Sequence, residues 1–345
     1  MVADYGDVLK AFSRDGTLLR EFCTTPVSDP DDSRRTAPVI STPIAAALLG
    51  DGTAWIIESD DERVAKFDLN TNACLMQLAQ FEEGGFTYRP QDLALVGDKL
   101  LVLNLSETYI SEAALSGEVG GISVYDARVG TYRYRFAHKD AANELYMRRP
   151  TSFAVSGALC YVADWRTHHV KVFNHETGEF IRAFGASAPG LAESGYEYSE
   201  SAAYDDPDLP QLPPGEFLCP YGVAVAHGRL YVSEERGRRI QVLGLPDGAP
   251  LQVIKSPDGG CLGRMCINGG GLLWCYGPKM GQTHIHIFAP YFPDPAVAEA
   301  EHRARALTRA DWAIGDCVLA TTAYEPGTAE FATAVAATRD FMRTL

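Results

Sequence analysis

The stretch Arg149-Pro-Thr-Ser-Phe-Ala-Val-Ser-Gly-Ala-Leu-Cys-Tyr-Val-Ala-Asp164, continued by His169-Val-Lys-Val-Phe173 and Gly178-Glu-Phe-Ile-Arg-Ala-Phe-Gly185, decides how the chain reads. It holds four short runs of β-branched and aromatic residues, separated by Gly, Asp and Asn turn formers, which is the pattern of a four-stranded antiparallel meander. The third run alternates as Val170-Lys-Val172, which predicts a strand with one buried face, as for the fourth run. The two inner runs are more continuously apolar and predict strands covered on both faces.

The same unit recurs along the chain, and such recurrence is the first thing to seek in a long sequence. Pro220-Tyr-Gly-Val-Ala-Val-Ala-His-Gly-Arg-Leu-Tyr-Val-Ser-Glu234 continues into Arg239-Ile-Gln-Val-Leu243 and Pro250-Leu-Gln-Val-Ile254. An earlier copy runs from Pro43 through Ala54-Trp-Ile-Ile-Glu58 and Arg63-Val-Ala-Lys-Phe67 to Cys74-Leu-Met-Gln-Leu78. Another runs from Arg89-Pro90 through Leu100-Leu-Val-Leu-Asn104 and Ile122-Ser-Val-Tyr125 to Tyr132-Arg-Tyr-Arg-Phe136. A fainter copy has Met265-Cys-Ile267, Leu272-Leu-Trp-Cys275 and His284-Ile-His-Ile-Phe288. Prolines 43, 90, 150 and 220 precede the acid or amide ending the second run by 14 or 15 positions. A lone meander cannot bury both faces, and radial stacking of such sheets solves this. The expected fold is all-β, a β-propeller of four-stranded antiparallel blades with a helical C-terminal appendage.

Residues 1–290 form the expected propeller. Val8-Leu-Lys-Ala-Phe12 and Leu18-Leu-Arg-Glu-Phe22 match only the third and fourth runs, so 7–22 is expected to close the ring. If Trp312-Ala-Ile-Gly-Asp-Cys-Val-Leu-Ala320 supplies the missing inner strands, the ring has six blades. If that segment instead closes onto the 265–288 unit, the ring has five, with 312–320 helical. Residues 291–345 form a C-terminal extension. Asp294-Pro295 is an N-cap followed by proline at the first helical position, opening a helix to about residue 310. A second helix is expected at 328–345, where Phe331, Val335, Thr338, Phe341, Met342 and Leu345 make one apolar stripe.

The units at 149–185 and 217–254 resemble the NHL repeat strongly, those at 43–78 and 90–136 moderately, and 265–288 faintly. The resemblance spans roughly 7–288. It implies the propeller but little about activity, since the family includes ubiquitin ligases, RNA-binding domains, lyases and scaffolds.

Acids outnumber bases, 45 against 30, and the formal charge is −15. This balance argues against a sequence-independent phosphate binder, which needs a cationic face. The short clusters at Arg34-Arg35, Arg148-Arg149, Arg236/Arg238/Arg239 and Arg303/Arg305/Arg309 read as solvated surface, and a single-stranded RNA-binding face of the kind the NHL resemblance allows is a second alternative. No apolar run reaches the roughly 18 residues of a membrane span, and charges at Asp4, Asp7, Lys10, Arg14 and Asp15 interrupt any signal-peptide core. Eight cysteines without a CxxC read as small buried hydrophobes in a reducing, intracellular setting.

Glu58, Asn104, Asp164 and Glu234 end the second strand of four units. In lactonase-type propellers, a looser resemblance, similar positions converge on a channel calcium ion, whose oxygen ligands these residues would suit. The competing expectation is local pairing, because Arg63, Arg239 and His169 stand five residues beyond Glu58, Glu234 and Asp164. His168-His169 and His284/His286 could suggest a metal, since the NHL-like peptide-amidating lyase uses a histidine-bound zinc; His284 and His286 share a strand face and could reach one ion, but they fall on an outer strand. No GxSxG, HExxH or P-loop occurs. A metal-dependent hydrolase or lyase at the channel mouth is therefore the alternative reading, and no catalytic or cofactor-binding residue is assigned.

Loop lengths are asymmetric. The turns at Gly50-Asp-Gly52, Val96-Gly-Asp98, Asn174-His-Glu-Thr-Gly178 and His227-Gly228 are tight, whereas 23–40, 105–119, 137–148 and 185–218 are long and fall together on the other face. Long insertions on one face of a repeat array mark its binding face. The segment 185–218 has Glu193, Glu197, Glu200, Asp205, Asp206, Asp208 and Glu216 with no base, and adds Tyr196, Tyr198 and Tyr204. The leading expectation is a non-enzymatic scaffold, or a subunit of a larger assembly, whose acidic face takes a protein partner with a basic surface.

Overall fold

Each recurring unit becomes one antiparallel meander. The computed structural model describes residues 2–4, 8–12, 18–22, 43–58, 63–78, 81–82, 85–86, 89–105, 121–137, 147–185, 212–256, 259–267, 273–279, 282–288, 312–314 and 317–320. All regular structure among these residues is β. A three-stranded sheet comes first, from β1 (Val2–Asp4), β2 (Val8–Phe12) and β3 (Leu18–Phe22). The first meander is β4 (Pro43–Leu49), β5 (Thr53–Glu58), β6 (Arg63–Asp68) and β7 (Cys74–Gln77). A two-stranded ribbon follows, β8 (Phe81–Glu82) and β9 (Gly85–Phe86). The second meander is β10 (Pro90–Val96), β11 (Lys99–Asn104), β12 (Gly121–Asp126) and β13 (Tyr132–Phe136). The third is β14 (Pro150–Ser156), β15 (Leu159–Asp164), β16 (His169–Asn174) and β17 (Phe180–Phe184). The fourth is β18 (Pro220–Ala226), β19 (Arg229–Glu234), β20 (Arg239–Gly244) and β21 (Pro250–Lys255).

A five-stranded sheet closes the series, with β22 (Met265–Ile267), β23 (Leu273–Lys279) and β24 (Gln282–Phe288) joined by β25 (Trp312–Ile314) and β26 (Cys317–Ala320). Within it β26 runs parallel to β24 and antiparallel to β25. Trp312–Ile314 and Cys317–Ala320 thus enter the sheet of the 265–288 unit as strands, which corrects both the expectation that 312–320 completes the 7–22 unit and the alternative that it is helical; the third strand beside 8–22 is Val2–Asp4. The helices expected at 294–310 and 328–345 lie outside the described residues. No described helix is long and apolar enough to cross a membrane.

The proline-to-acid spacing is a register. Pro43 pairs with Glu58, Pro90 with Asn104 and Pro220 with Glu234, each followed by an irregularity in the first strand. Proline suits this place because it opens a strand at a point where the ladder is already interrupted.

The chain divides into two compact units, residues 1–160 with 173–181 and residues 161–172 with 182–345. In the first unit, the opening strands of successive sheets are neighbours, β1 beside β4, β4 beside β10 and β10 beside β14. Between the first two meanders lies a core of Trp55, Ile57, Val64, Leu78, Leu93, Leu100, Val102 and Tyr125. In the second unit β18 neighbours β22, and Tyr231, Ile240, Val242, Leu262, Leu273 and Cys275 form the core. Trp55 is fully buried and its indole N–H donates to the Ala127 carbonyl at 2.8 Å. Trp55→Phe removes part of the buried ring and strands that carbonyl, so a loss of at least about 1–2 kcal/mol is expected in chemical denaturation; an unchanged midpoint would show that neither the hydrogen bond nor the packing contributes.

The third strands correct the sequence expectation. They are buried on both faces, including the polar residues Lys66, Lys171 and Gln241. Among the described residues the fourth strands are the most open, with Leu75, Ile181, Leu251 and Val253 exposed, and in the first strands Leu48 is exposed as well. Alternation misleads here because each buried polar side chain has its own partner. Lys171 reaches Asp164, Gln241 reaches Glu234, and Lys66 donates to the Arg128 carbonyl at 3.3 Å.

The outer hairpins repeat in detail. Asp68, Asp126 and Asn174 end the third strands, and their side-chain oxygens accept the backbone N–H groups two and three residues on. Four residues beyond them stand Asn72, Gly130 and Gly178, all at positive φ, and Gly248 occupies the matching place after Gly244. These turns pack against the end of the preceding sheet's last strand. A Cβ at Gly130 would lie 3.1 Å from Leu78, at Gly178 3.2 Å from Phe136, and at Gly248 2.5 Å from the Phe184 ring.

Candidate functional site

Every candidate position at the end of a second strand is buried: Glu58, Asn104, Asp164 and Glu234. In the first meander Glu58 takes a bidentate pair from Arg63, its direct register partner, with Nε at 2.6 Å and Nη2 at 2.9 Å. In the second meander the register partner is Gly121, and Asn104 Nδ2 instead donates to Ser123 Oγ at 3.2 Å and to the Val102 carbonyl at 3.1 Å. In the third, Asp164 accepts from Lys171 Nζ at 2.8 Å. The expected Asp164–His169 pair is corrected: His169 turns its Nδ1 onto the Thr167 carbonyl. Lysine wins because its ammonium, two residues along the same strand face, reaches a fully buried carboxylate that would otherwise lack a counter-charge.

The fourth meander builds the position out into a hub. Glu234 Oε1 accepts from Arg239 Nε at 2.8 Å and from Gln241 Nε2 at 2.6 Å, while Oε2 accepts the Leu218 N–H at 2.9 Å. Burial pushes the Glu234 carboxyl up, against the pull of Arg239, Gln241 and Leu218. Gly237 folds over the carboxylate so closely that a Cβ there would collide with it.

Arg239 and Gln241 also hold the chain leading into this sheet. Arg239 donates to the Leu212 carbonyl at 2.6 Å and to the Glu216 carbonyl at 3.0 Å. Gln241 donates to the Glu216 carbonyl at 2.6 Å and accepts the Gly215 N–H at 2.8 Å. Residues 212–219 therefore form a strap laid along the fourth meander. Its far end meets the turn of the third meander, where Cys219 N–H donates to His168 Nδ1 at 3.0 Å and Trp165, Leu218 and Cys219 are buried together. Trp165 Nε1 donates to Glu235 Oε2 at 2.6 Å.

The strap begins where the acidic insertion ends. On the other side of that insertion stands Gly185, at φ +99, packed so tightly that a Cβ would lie 2.8 Å from the His168 carbonyl and 2.9 Å from Phe217. Both feet of the 186–211 segment thus root on one platform. Of the residues read as partner-binding, Glu193, Tyr196, Glu197, Tyr198, Glu200, Tyr204, Asp205, Asp206 and Asp208 lie outside the described residues, and Glu216 belongs to the strap.

Chemically, the three carboxylates expected at a channel calcium each face a cation of their own sheet at hydrogen-bond distance. Among the described residues no cluster of three His, Cys, Asp or Glu could hold a metal ion. His284 and His286 stand on β24, paired in register with Gly277 and Cys275. Five of the six described cysteines are wholly or partly buried, Cys266 is exposed, and burial drives the Cys160 and Cys275 thiols far above their usual range.

Sequence reading misses Lys171, Gln241 and Trp165, and it reads His168 with His169 only as a pair that could suggest a metal. Two of these did leave a signal, a single polar residue inside an apolar strand, Val170-Lys-Val172 and Ile240-Gln-Val242. No protein-family model and no curated protein matches the chain.

Proposed function

We propose that the chain is an NHL-type β-propeller that acts as a non-enzymatic protein-interaction scaffold, presenting the acidic segment 186–211 to a partner with a basic surface. Four successive meanders with opening strands side by side within each unit support the propeller reading. Among the described residues six sheets of three or more strands follow one another in chain order, and we read them as six blades, with Val2–Asp4 and not 312–320 beside the strands of 8–22.

The observation that carries the scaffold reading is the rooting of both feet of the acidic segment. A segment with six carboxylates, three tyrosines and no base has no apolar pattern to fold on by itself. Its C-terminal end is nonetheless held by a buried ion pair, a glutamine and a histidine, and at its other end Gly185 packs against His168 and Phe217. A fixed origin limits the volume the segment explores, raising its effective concentration toward a docked partner. Its charge supplies steering and register toward a basic surface, with less to add to affinity.

The test replaces Glu193, Glu197, Glu200, Asp205, Asp206 and Asp208 by Gln and Asn, leaving the strap intact. The immobilised full chain is expected to retain a basic protein at physiological salt, and the neutralised variant to retain at least tenfold less. Equal retention by both chains would remove the acidic segment from the interaction. Stoichiometric calcium or zinc in the native protein would replace the scaffold reading with metal-dependent chemistry.

A further inference from the structure

The strap contains a backbone conformation that must be held. Cys219 has φ +54, a left-handed geometry few residues other than glycine adopt, and it precedes Pro220, which disfavours helical geometries further. Two hydrogen bonds, one on each flanking peptide, hold this residue. The Cys219 carbonyl accepts the Glu235 N–H at 3.0 Å, and the Cys219 N–H donates to His168 Nδ1 at 3.0 Å. An imidazole nitrogen accepts only while it is unprotonated, so in this arrangement the neutral ring carries its proton on Nε2.

His168 is nearly buried, at 8% exposure, and itself sits at φ +59. The charged groups around it are Asp164, already engaged by Lys171, and His169 on its own sheet. Around the strap on the next sheet are Glu234, engaged by Arg239, and Glu235, engaged by Trp165. Arg236 and Arg238 stand in the same turn as Glu235.

We propose that His168 is a proton-operated latch on the strap 212–219: the neutral ring holds the Cys219 N–H, and the imidazolium, with a proton on both nitrogens, releases it. Burial together with His169 lowers its affinity for a proton below the ordinary 6.5, against a smaller pull from Asp164, which Lys171 already engages. The sign follows. The latch is whole above the ordinary imidazole range and is lost as pH falls below it, because the unfastened strap binds the proton that the fastened one refuses. This inference does not depend on any partner, since its consequence appears in the free protein.

Hydrogen exchange at the Cys219 amide, expressed as a protection factor so that the intrinsic pH dependence is removed, tests the latch in the full chain. Wild type is expected to hold constant protection from about pH 7.5 to the imidazole range and then to lose about tenfold per pH unit, while the Val232 amide in β19 stays protected. His168→Asn places an amide oxygen close to where Nδ1 accepts, tolerates the left-handed backbone and does not titrate, so its protection is expected to stay flat. His168→Phe removes the acceptor and is expected to show low protection at every pH. A wild-type profile that stays flat down to about pH 5, or an equal fall in His168→Asn, would overturn the latch.

Discussion

Glu234→Ala is expected to destabilise the second unit by about 3–5 kcal/mol, because it leaves the buried Arg239 guanidinium without its counter-charge. Arg239 is 8% exposed and Glu234 fully buried, so solvent does not replace the lost partner. The same change frees Gln241 and strips the acceptor from the Leu218 N–H. The expected readings are a lowered urea midpoint and faster hydrogen exchange over 212–219. Glu234→Met combined with Arg239→Met is expected to recover much of the midpoint, since an apolar pair of similar bulk avoids the desolvation cost of two ions. It is not expected to restore strap protection, because Arg239 also holds the Leu212 and Glu216 carbonyls. A single Glu234→Ala loss below about 1 kcal/mol would place the pair among weak surface bridges and sink the hub.

The second large effect is expected at Gly248. Alanine there must adopt φ +80 and also place its Cβ 2.5 Å from the Phe184 ring. The left-handed backbone costs about 1–2 kcal/mol and the overpacking about 1–3 kcal/mol more. Gly178 has a nearly identical φ of +78, but its Cβ would meet Phe136 at 3.2 Å, a contact a small shift relieves. Gly178→Ala is therefore expected to cost about 1–2 kcal/mol, from the backbone alone. The comparison separates conformational strain from sheet-to-sheet contact. Phe184→Leu added to Gly248→Ala is expected to return part of the loss. Equal costs at 178 and 248 in thermal or urea unfolding would mean that the turn does not press on the neighbouring strand.

Much of this architecture is legible in the sequence. Strand limits of all four meanders follow runs visible in the sequence, and the interval from Pro43 to Glu58, Pro90 to Asn104 and Pro220 to Glu234 proved to be a pairing register. The Glu58–Arg63 and Glu234–Arg239 pairs were readable because they too are register partners, five residues apart across a short turn. The candidate site was less legible. Asp164 chose Lys171 over His169, and His168 turned to Cys219, fifty-one residues away.

The sequence by itself determined the β class, the repeating meander, the strand boundaries and the tightness of the outer turns. All of these depend on short-range patterns: side-chain alternation, turn residues and proline, acting within a few positions. Only the tertiary structure decided that the third strands are covered on both faces, that a buried polar side chain in each has its own partner, and that both feet of the acidic segment stand on one platform. Burial and counter-charge are properties of what packs alongside, and residues far apart in the chain supply them.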